Sequence, residues 1–558
     1  MSKRKTAGSE KYPAKRVKRD TSPVANITGT TQSVRKLGAN AIPRLTTTAL
    51  RAFVADILGQ LPKDEEEKNK RTLRIVRMLP EHLLKELWSQ MINAWPKFVG
   101  HNLIIEIFLR GSTIRFPGTL PGIKKQTVRA LSKIGSTLKW LEIMGHDIPD
   151  QDFAMTLSSL PLLEHLNLRH SRQVGSRTCK AIYTTHELLT YLNLGETNAT
   201  LPDIKPILRK LGKLQVLKIS SMEGLTDSEI TRTVEELFGS QPQFSDQGVV
   251  PLSNLRSLKL RHTSITGTTI ALILPHLPML QTLDASFVPI VSIPTVKIDT
   301  VPKLTKLSLA STPVDAKQLL PILELLPTLK ILNLGALGAS AKTATGFTIA
   351  GKQSTSAMGS RTLDDTALLS LTDILQSFHN LESVSLAGNS SLCTTKSRAV
   401  SYFIRQVGRK LKMLNLNGIP LLKSEDLEGL RAENADDVCS LEQLLLMGTS
   451  IDDGVAAHIS ACPNLNFLDL EATKVSEEGV LDIIDACSLL ETINLSSCRG
   501  IGVQNRRKIF ELWKRERNPE DTNRAESATP RERLAYGKGS LESRPEIVLA
   551  GRWIEEKI

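Results

Sequence analysis

The chain has 558 residues, 41% hydrophobic and only 4% aromatic, which exceeds one ordinary globular core of roughly 100–200 residues and demands an aliphatic interior. No apolar run reaches the ~18 residues of a membrane span, the Lys/Arg-rich start lacks the apolar stretch of a secretory leader, and six cysteines without a CxxC pair make neither a disulfide framework nor a zinc module; the reading is an intracellular, soluble chain. The net charge of +13 sits at the ends, with +6 in residues 1–20, +3 in 21–71 and +4 in 499–558, so residues 72–498 are neutral and a body built to neutralise phosphates is not expected.

In chain order, residues 1–45 are polar and low in aliphatics, and are expected to form a disordered basic tail. Lys3, Arg4 and Lys5 are followed, nine residues later, by a second cluster containing Lys15, Arg16, Lys18 and Arg19. Two basic clusters at that spacing resemble a bipartite nuclear import signal. The resemblance implies an importin-type receptor and a nuclear location; a merely solubilising tail is the other reading.

Residues 46–98 read as a helical cap. Leu50, Phe53, Val54, Ile57, Leu58 and Leu61 share one helical face. LPEHLLKELW, from Leu79, admits two readings. Leu79, Pro80, Leu83, Leu84 and Leu87 resemble the first helix of an F-box, which implies docking onto a Skp adaptor and, through it, a cullin. The residues beyond Trp88 lack the rest of that pattern. A capping half-repeat, with LRIVRM from Leu73 as its strand and residues 80–93 as its helix, accounts for the same letters.

From residue 99 to 500 one pattern repeats. LxxLxL, with conservative swaps, begins at Leu138, Leu163, Leu189, Leu214, Leu255, Leu280, Leu304, Leu329, Leu381, Leu411, Leu441, Leu465 and Leu490. A weaker copy starts at Ile104. Most intervals are 24–26 residues, two are 30, and two are irregular at 41 and 52. The first, fourth and sixth positions point inward from a short strand, and the residues between them face solvent. After the strand comes an apolar plug and a residue suited to cap a helix, as in Ile265-Thr266, Val314-Asp315, Ile451-Asp452 and Val475-Ser476. No such unit buries its apolar side alone, so stacked neighbours supply the core. The expected fold is an α/β leucine-rich-repeat solenoid of about 13–15 strand–helix units.

The chain is similar to the leucine-rich-repeat superfamily over about residues 99–500, and to the cysteine-containing type of F-box and mitotic-exit-antagonist proteins in particular. Cys462 and Cys487 precede a repeat's first leucine by three residues and Cys439 by two, while Cys498 follows a strand. It departs from that type in placing Thr where Cys or Asn is usual. The long intervals are expected to hold loop insertions near 223–250 and 337–362. Residues 501–517, with Ile509, Leu512 and Trp513 one turn apart, read as a capping helix, and 518–558 as a charged tail.

No pairing of nucleophile and base, no paired carboxylates and no cofactor motif is found, so no enzyme and no cofactor is expected. GFTIAGKQ from Gly346 misses the phosphate-loop pattern at Gln353 and reads as a loop. His165 and His170 straddle one strand without a third ligand and read as surface residues. The concave face carries a basic patch of Arg169, His170, Lys218, Arg256, Lys259, Arg261 and His262, with Asp469 and Glu471 in the late repeats. Such a two-signed face suits an extended protein partner with acidic or phosphorylated groups at its basic end.

The function expected is a nuclear interaction scaffold, in its most concrete form a substrate-recognition subunit of an SCF-type ubiquitin ligase. The alternative is a chromatin- or DNA-repair-associated factor whose basic tails touch nucleic acid. Neither involves a membrane.

Overall fold

A computed structural model describes residues 34–36, 48–50, 52–53, 74, 76–94, 96–239, 251–294, 301–338, 362–431 and 438–516. Fifteen strands form one open sheet. They are β1 (Val34–Lys36), β2 (Thr113–Phe116), β3 (Trp140–Ile143), β4 (His165–Asn167), β5 (Tyr191–Asn193), β6 (Val216–Lys218), β7 (Ser257–Lys259) and β8 (Thr282–Asp284). Next come β9 (Lys306–Ser308), β10 (Ile331–Asn333), β11 (Ser383–Ser385), β12 (Met413–Asn415), β13 (Gln443–Leu445), β14 (Phe467–Asp469) and β15 (Thr492–Asn494). Strands β2 to β15 lie side by side in chain order, each parallel to the next. Helices such as Asp150–Leu157, Ser176–Thr185 and Glu477–Ala486 alternate with them. Strands pack ~4.8 Å apart whereas helices need ~10 Å, so stacking the two in step puts the helices on the outer, longer side and leaves the strand face concave.

Each repeat's leucines do what their spacing requires. In the repeat of β7, Leu255, Leu258 and Leu260 are all buried, and the plug Ile265 is fully enclosed. One continuous apolar core runs from Leu50 to Phe510. Thr replaces Asn or Cys because its hydroxyl makes a similar bond. The Oγ1 atoms of Thr197, Thr263, Thr312, Thr449 and Thr473 donate to the carbonyls of Leu194, Leu260, Leu309, Leu446 and Leu470 at 2.7–2.8 Å. Asn389 does more, its Nδ2 reaching both Leu386 and Leu334 across two repeats. Cys439, Cys462 and Cys487 are fully buried free thiols, with Cys462 Sγ 3.4 Å from Cys439 Sγ.

The residue two places beyond each repeat's third inward position has positive φ in every repeat from β3 to β15, including His170, Glu196, His262 and Phe287. Only Gly145, Gly388, Gly418 and Gly448 are glycines there. The left-handed turn costs a side-chain-bearing residue about 1 kcal/mol, yet it brings side chains of neighbouring repeats into register along the rim.

The capping residues expected from sequence are half right. Asp315 and Asp452 accept from the amides of Lys317 and Gly454, but Thr266 and Ser476 make no such bond with their side chains. Their own amides donate to aspartates of the preceding repeat, Asp227 and Asp453. Asp150 similarly holds the amides of Gly175, Arg177 and Thr178, and Asp365 those of Cys393 and Thr395. The orphan amides at a helix start need an acceptor, and at Gly175, Thr266 and Ser476 a carboxylate at the start of the previous helix supplies it, whereas Asp365 holds the loop ahead of the helix Ala399–Gln406.

Several boundaries differ from those expected of the sequence. Ile104–Phe108 is a π-helical turn, so the weak copy at Ile104 is no strand and the first rung is β2. Arg74 and Val76–Met78 are helical, which removes LRIVRM as a strand; periodic aliphatics alone do not separate a short helix from a strand. The predicted loop 223–250 contains the helix Asp227–Phe238. Strands β10 and β11 are adjacent, so no rung is lost between them, and most of the predicted loop 337–362 lies outside the described residues. Within the tail read as disordered, Val34–Lys36 pairs antiparallel with β15 and so occupies the backbone edge that a last strand would otherwise expose. Lys3, Arg4, Lys5, Lys15, Arg16, Lys18, Arg19, the phosphate-loop near-match and the tail 518–558 lie outside the described residues.

Both ends of the ladder are closed. The helix Glu81–Ala94 lays Leu84 and Leu87 into the core at 5% and 1% exposure. Its Trp88 packs at 4.7 Å from the Phe108 ring and donates Nε1–H to the Arg115 carbonyl of β2 at 3.0 Å. The helix Val503–Glu516 buries Ile509 and Phe510, and its Arg506 donates to the carbonyls of Cys498 and Ile501.

Candidate interaction surface

The strand face is built from the second, third, fifth and seventh positions of each repeat, which the alternation of strand side chains turns away from the core. Parallel register puts equal positions of adjacent repeats side by side. Lys218 of β6 therefore lies next to Lys259 of β7, and Lys259 next to Asp284 of β8.

At the N-terminal end, the third position stacks rings. Trp140 and His165 lie 3.5 Å apart at 7° and His165 and Tyr191 3.7 Å apart at 17°. A cation closes each end, with the Arg115 guanidinium 5.1 Å from the Trp140 ring and the Lys218 ammonium 4.8 Å from the Tyr191 ring. Glu142 runs along the ring edges, accepting from Trp140 Nε1 at 2.7 Å, with His165 Nε2 at 3.4 Å and Arg115 Nε at 3.7 Å. Burial alone would raise the Glu142 carboxyl, but the His165 and Trp140 bonds and the Arg115 charge outweigh it and hold it below its ordinary value. Burial holds His165 below the usual histidine value despite Glu142. His165, read from sequence as a surface residue, is 7% exposed: its neighbours' rings cover both faces.

The basic patch resolves into two parts. Arg169 is paired with the Glu196 carboxylate at 3.0 Å, and His170 Nδ1 lies 2.5 Å from the same carboxylate. Lys218, Lys259 and Arg261 gather with Lys306, which is absent from the set expected of the sequence. Burial lowers the Lys259 ammonium, and Lys218 lowers it further, against the pull of Asp284. Lys306 is lowered by burial and then by Lys259. Arg261 lies 5.4 Å from the centroid of the Phe287 ring and 3.9 Å from Asp284, and His262 stacks on Phe287 at 4.2 Å. Arg256 is exposed at the other end of β7, three residues before Lys259.

Beyond the cations the face changes character. Across β10 to β12 the third and fifth positions are Ile331, Asn333, Ser383, Ser385, Met413 and Asn415, all uncharged. In β14 and just after it come Asp469 and Glu471. Burial raises the Asp469 carboxyl against the hydrogen bond from the Glu471 amide, and Glu471 accepts from Asn494 Nδ2 at 3.0 Å. The ring stack and Lys306 occupy the third position, which a column reading of the fifth position does not reveal; Glu142 stands in the fifth-position column, but its contact with His165 emerges only once the strands are set in register.

Of the residues compared with an F-box helix, Leu84 and Leu87 fill the cap core, Leu79 and Leu83 are half-buried, and Pro80 is exposed. No cluster of three metal-binding side chains occurs among the described residues, and no described helix is long and apolar enough to cross a membrane.

One short strand per repeat in a single parallel sheet, with helices outside and a polar inner face, defines a leucine-rich-repeat solenoid. No protein-family model matches the chain, and no curated protein sequence is detectably similar to it. Solved structures similar to it include an internalin from Listeria monocytogenes, at 16% identity over 73% of this chain and 97% of that one, TM-score 0.38. Another is Rad7 in its yeast complex with Elc1, at 14% identity over 83% and 95%, TM-score 0.44. A third is the TLR13–ssRNA13 complex, at 16% identity over 69% and 51%, TM-score 0.38.

Proposed function

We propose that the protein is a non-enzymatic interaction scaffold that holds an extended segment of a protein partner along its strand face, across the strands. The observation that carries this reading is the order of charge on one unbroken sheet: cations on β6, β7 and β9, uncharged side chains at the third and fifth positions of β10 to β12, carboxylates at β14. Opposite ends of opposite sign fix the direction of a bound segment and reject like-charged ones. At ~4.8 Å per strand, β6 to β14 span roughly 40 Å, the length of about eleven or twelve extended residues.

The finer form of this reading is a nuclear substrate-recognition subunit for an SCF-type ubiquitin ligase. Nuclear entry would rest on Lys3, Arg4, Lys5, Lys15, Arg16, Lys18 and Arg19; deleting residues 1–20 from a fluorescent fusion should shift it out of the nucleus, and an unchanged distribution would refute that role. Adaptor docking would fall to Leu79, Pro80 and Leu83, because Leu84 and Leu87 are committed to the cap.

One affinity-capture experiment with the full chain tests the remainder. Gln443→Arg/Met447→Arg, two exposed positions of the strand face, should abolish capture of the face's partners. Glu324→Arg, exposed on an outer helix, should leave capture intact. Partners retained by the double variant would sink the scaffold reading. Skp and cullin subunits in the captured set, lost in Leu79→Glu/Leu83→Glu alone, would establish the ligase form; their absence from the wild-type set would remove it.

A further inference from the structure

We propose that the cations of β6 to β9 form a phosphoryl-binding subsite, and that the partner segment lying there carries a phosphoserine or phosphothreonine. This deepens the scaffold reading and rests on it.

Lys218 and Lys259 occupy the same position of adjacent strands, an arrangement in which like charges repel. Lys306 and Arg261 join them, and Lys259 and Lys306 are both partly withdrawn from water. Among the described residues, Asp284 is the carboxylate that acts on both Lys259 and Lys306. Its Oδ1 already accepts from the Ser286 amide at 3.2 Å and hydroxyl at 2.8 Å. Arg169, another cation of the patch, is paired with Glu196, which His170 also contacts. Lys259, Lys306 and Arg261 share one carboxylate that is already engaged, and neutral side chains at the two lysine positions would avoid their mutual repulsion.

A compact dianion with three acceptor oxygens answers several ammonium groups and a guanidinium at once. The guanidinium of Arg261 is held over Phe287, which orders it before a ligand arrives. The patch is bounded by uncharged β10 to β12 and then by Asp469 and Glu471. A nucleic-acid strand needs a continuous cationic track and would meet carboxylates at the far end, whereas a peptide with one phosphorylated residue does not.

The test uses the full chain on an array of random-sequence peptides with one central phosphoserine or phosphothreonine, the same peptides unphosphorylated, and a short single-stranded DNA. Phosphorylated peptides should bind at least tenfold more tightly than their unphosphorylated forms. Lys259→Gln/Lys306→Gln should lose that preference while keeping a Tm equal to or above wild type, because it removes mutual repulsion. Arg261→Gln, at an exposed side chain, should weaken it several-fold and gives a second reading should the double variant fold poorly. Equal binding of both peptide forms, tighter binding of the DNA, or a preference that survives both variants would overturn the proposal. If Gln443→Arg/Met447→Arg still abolishes partner capture in that event, the scaffold reading stands and only the phosphoryl subsite falls; if capture too is unaffected, both fall.

Discussion

Replacing Asp365 with alanine is expected to destabilise the chain by about 3 kcal/mol, the largest effect of any of the carboxylates that bridge one repeat to the next. Asp365 is 1% exposed, and it accepts from the amides of Cys393 and Thr395 at 2.8 Å each and from Thr395 Oγ1 at 2.6 Å. Alanine leaves these donors without their acceptor, at about 1–3 kcal/mol for each donor that water cannot reach. Rearrangement of the loop recovers part of that. Solenoid repeats are coupled chiefly to their neighbours, so the loss should be local. Amide hydrogen exchange should accelerate most between β11 and β12, where the helix Ala399–Gln406 begins, and less near β3 or β15. Chemical denaturation showing a change under 0.5 kcal/mol would contradict the inter-repeat capping role. Asp365→Asn, which keeps one acceptor oxygen but turns a donor toward other donors, should fall between wild type and alanine.

Acid should weaken the fold through His186, by roughly 3 kcal/mol on going from pH 6.5 to pH 4. The side chain is fully buried just beyond the helix Ser176–Thr185, and burial lowers its pKa from 6.5 to about 4. Between those values the unfolded chain binds the proton and the folded chain does not, so stability falls as pH falls. Above pH 6.5 both states are neutral and His186 contributes no pH dependence. A shift of about 2.5 units at 1.36 kcal/mol each gives the magnitude. His146, His165, His262, His276 and His458 are lowered in the same direction, so the informative quantity is a difference. His186→Gln should flatten the stability profile relative to wild type between pH 6.5 and 4. Parallel profiles would show that His186 is not the neutral buried base.

The basic end of the strand face shows how far a column reading goes. Lys218, Lys259 and Arg261 were identifiable from their places in the repeat, and the structure does gather them. Arg169 and His170 look equivalent to them in the sequence but both contact Glu196, because the left-handed turn after each strand lines up the rim residues of β4 and β5. Nothing in the local sequence of Arg169 announces that partner, which sits 27 residues away. Lys306 and the Trp140–His165–Tyr191 stack occupy the third position, where ring and lysine side chains give no hint of contact until adjacent strands are set in register.

Leucine spacing, the plug residue after each strand and the neutrality of residues 72–498 are local properties of the chain. They are enough to dictate a parallel ladder with an aliphatic core, because every rung solves the same burial problem with the same residue types. Tertiary structure decided whatever passes between rungs. Asp150, Asp227 and Asp453 hold amides at the start of the following repeat's helix, Asp365 holds the loop before the next one, Val34–Lys36 covers β15, and β10 pairs directly with β11. Those contacts join residues more than twenty positions apart whose identities do not recur with the period. Their energies depend on register and desolvation, which arise only once the strands are stacked.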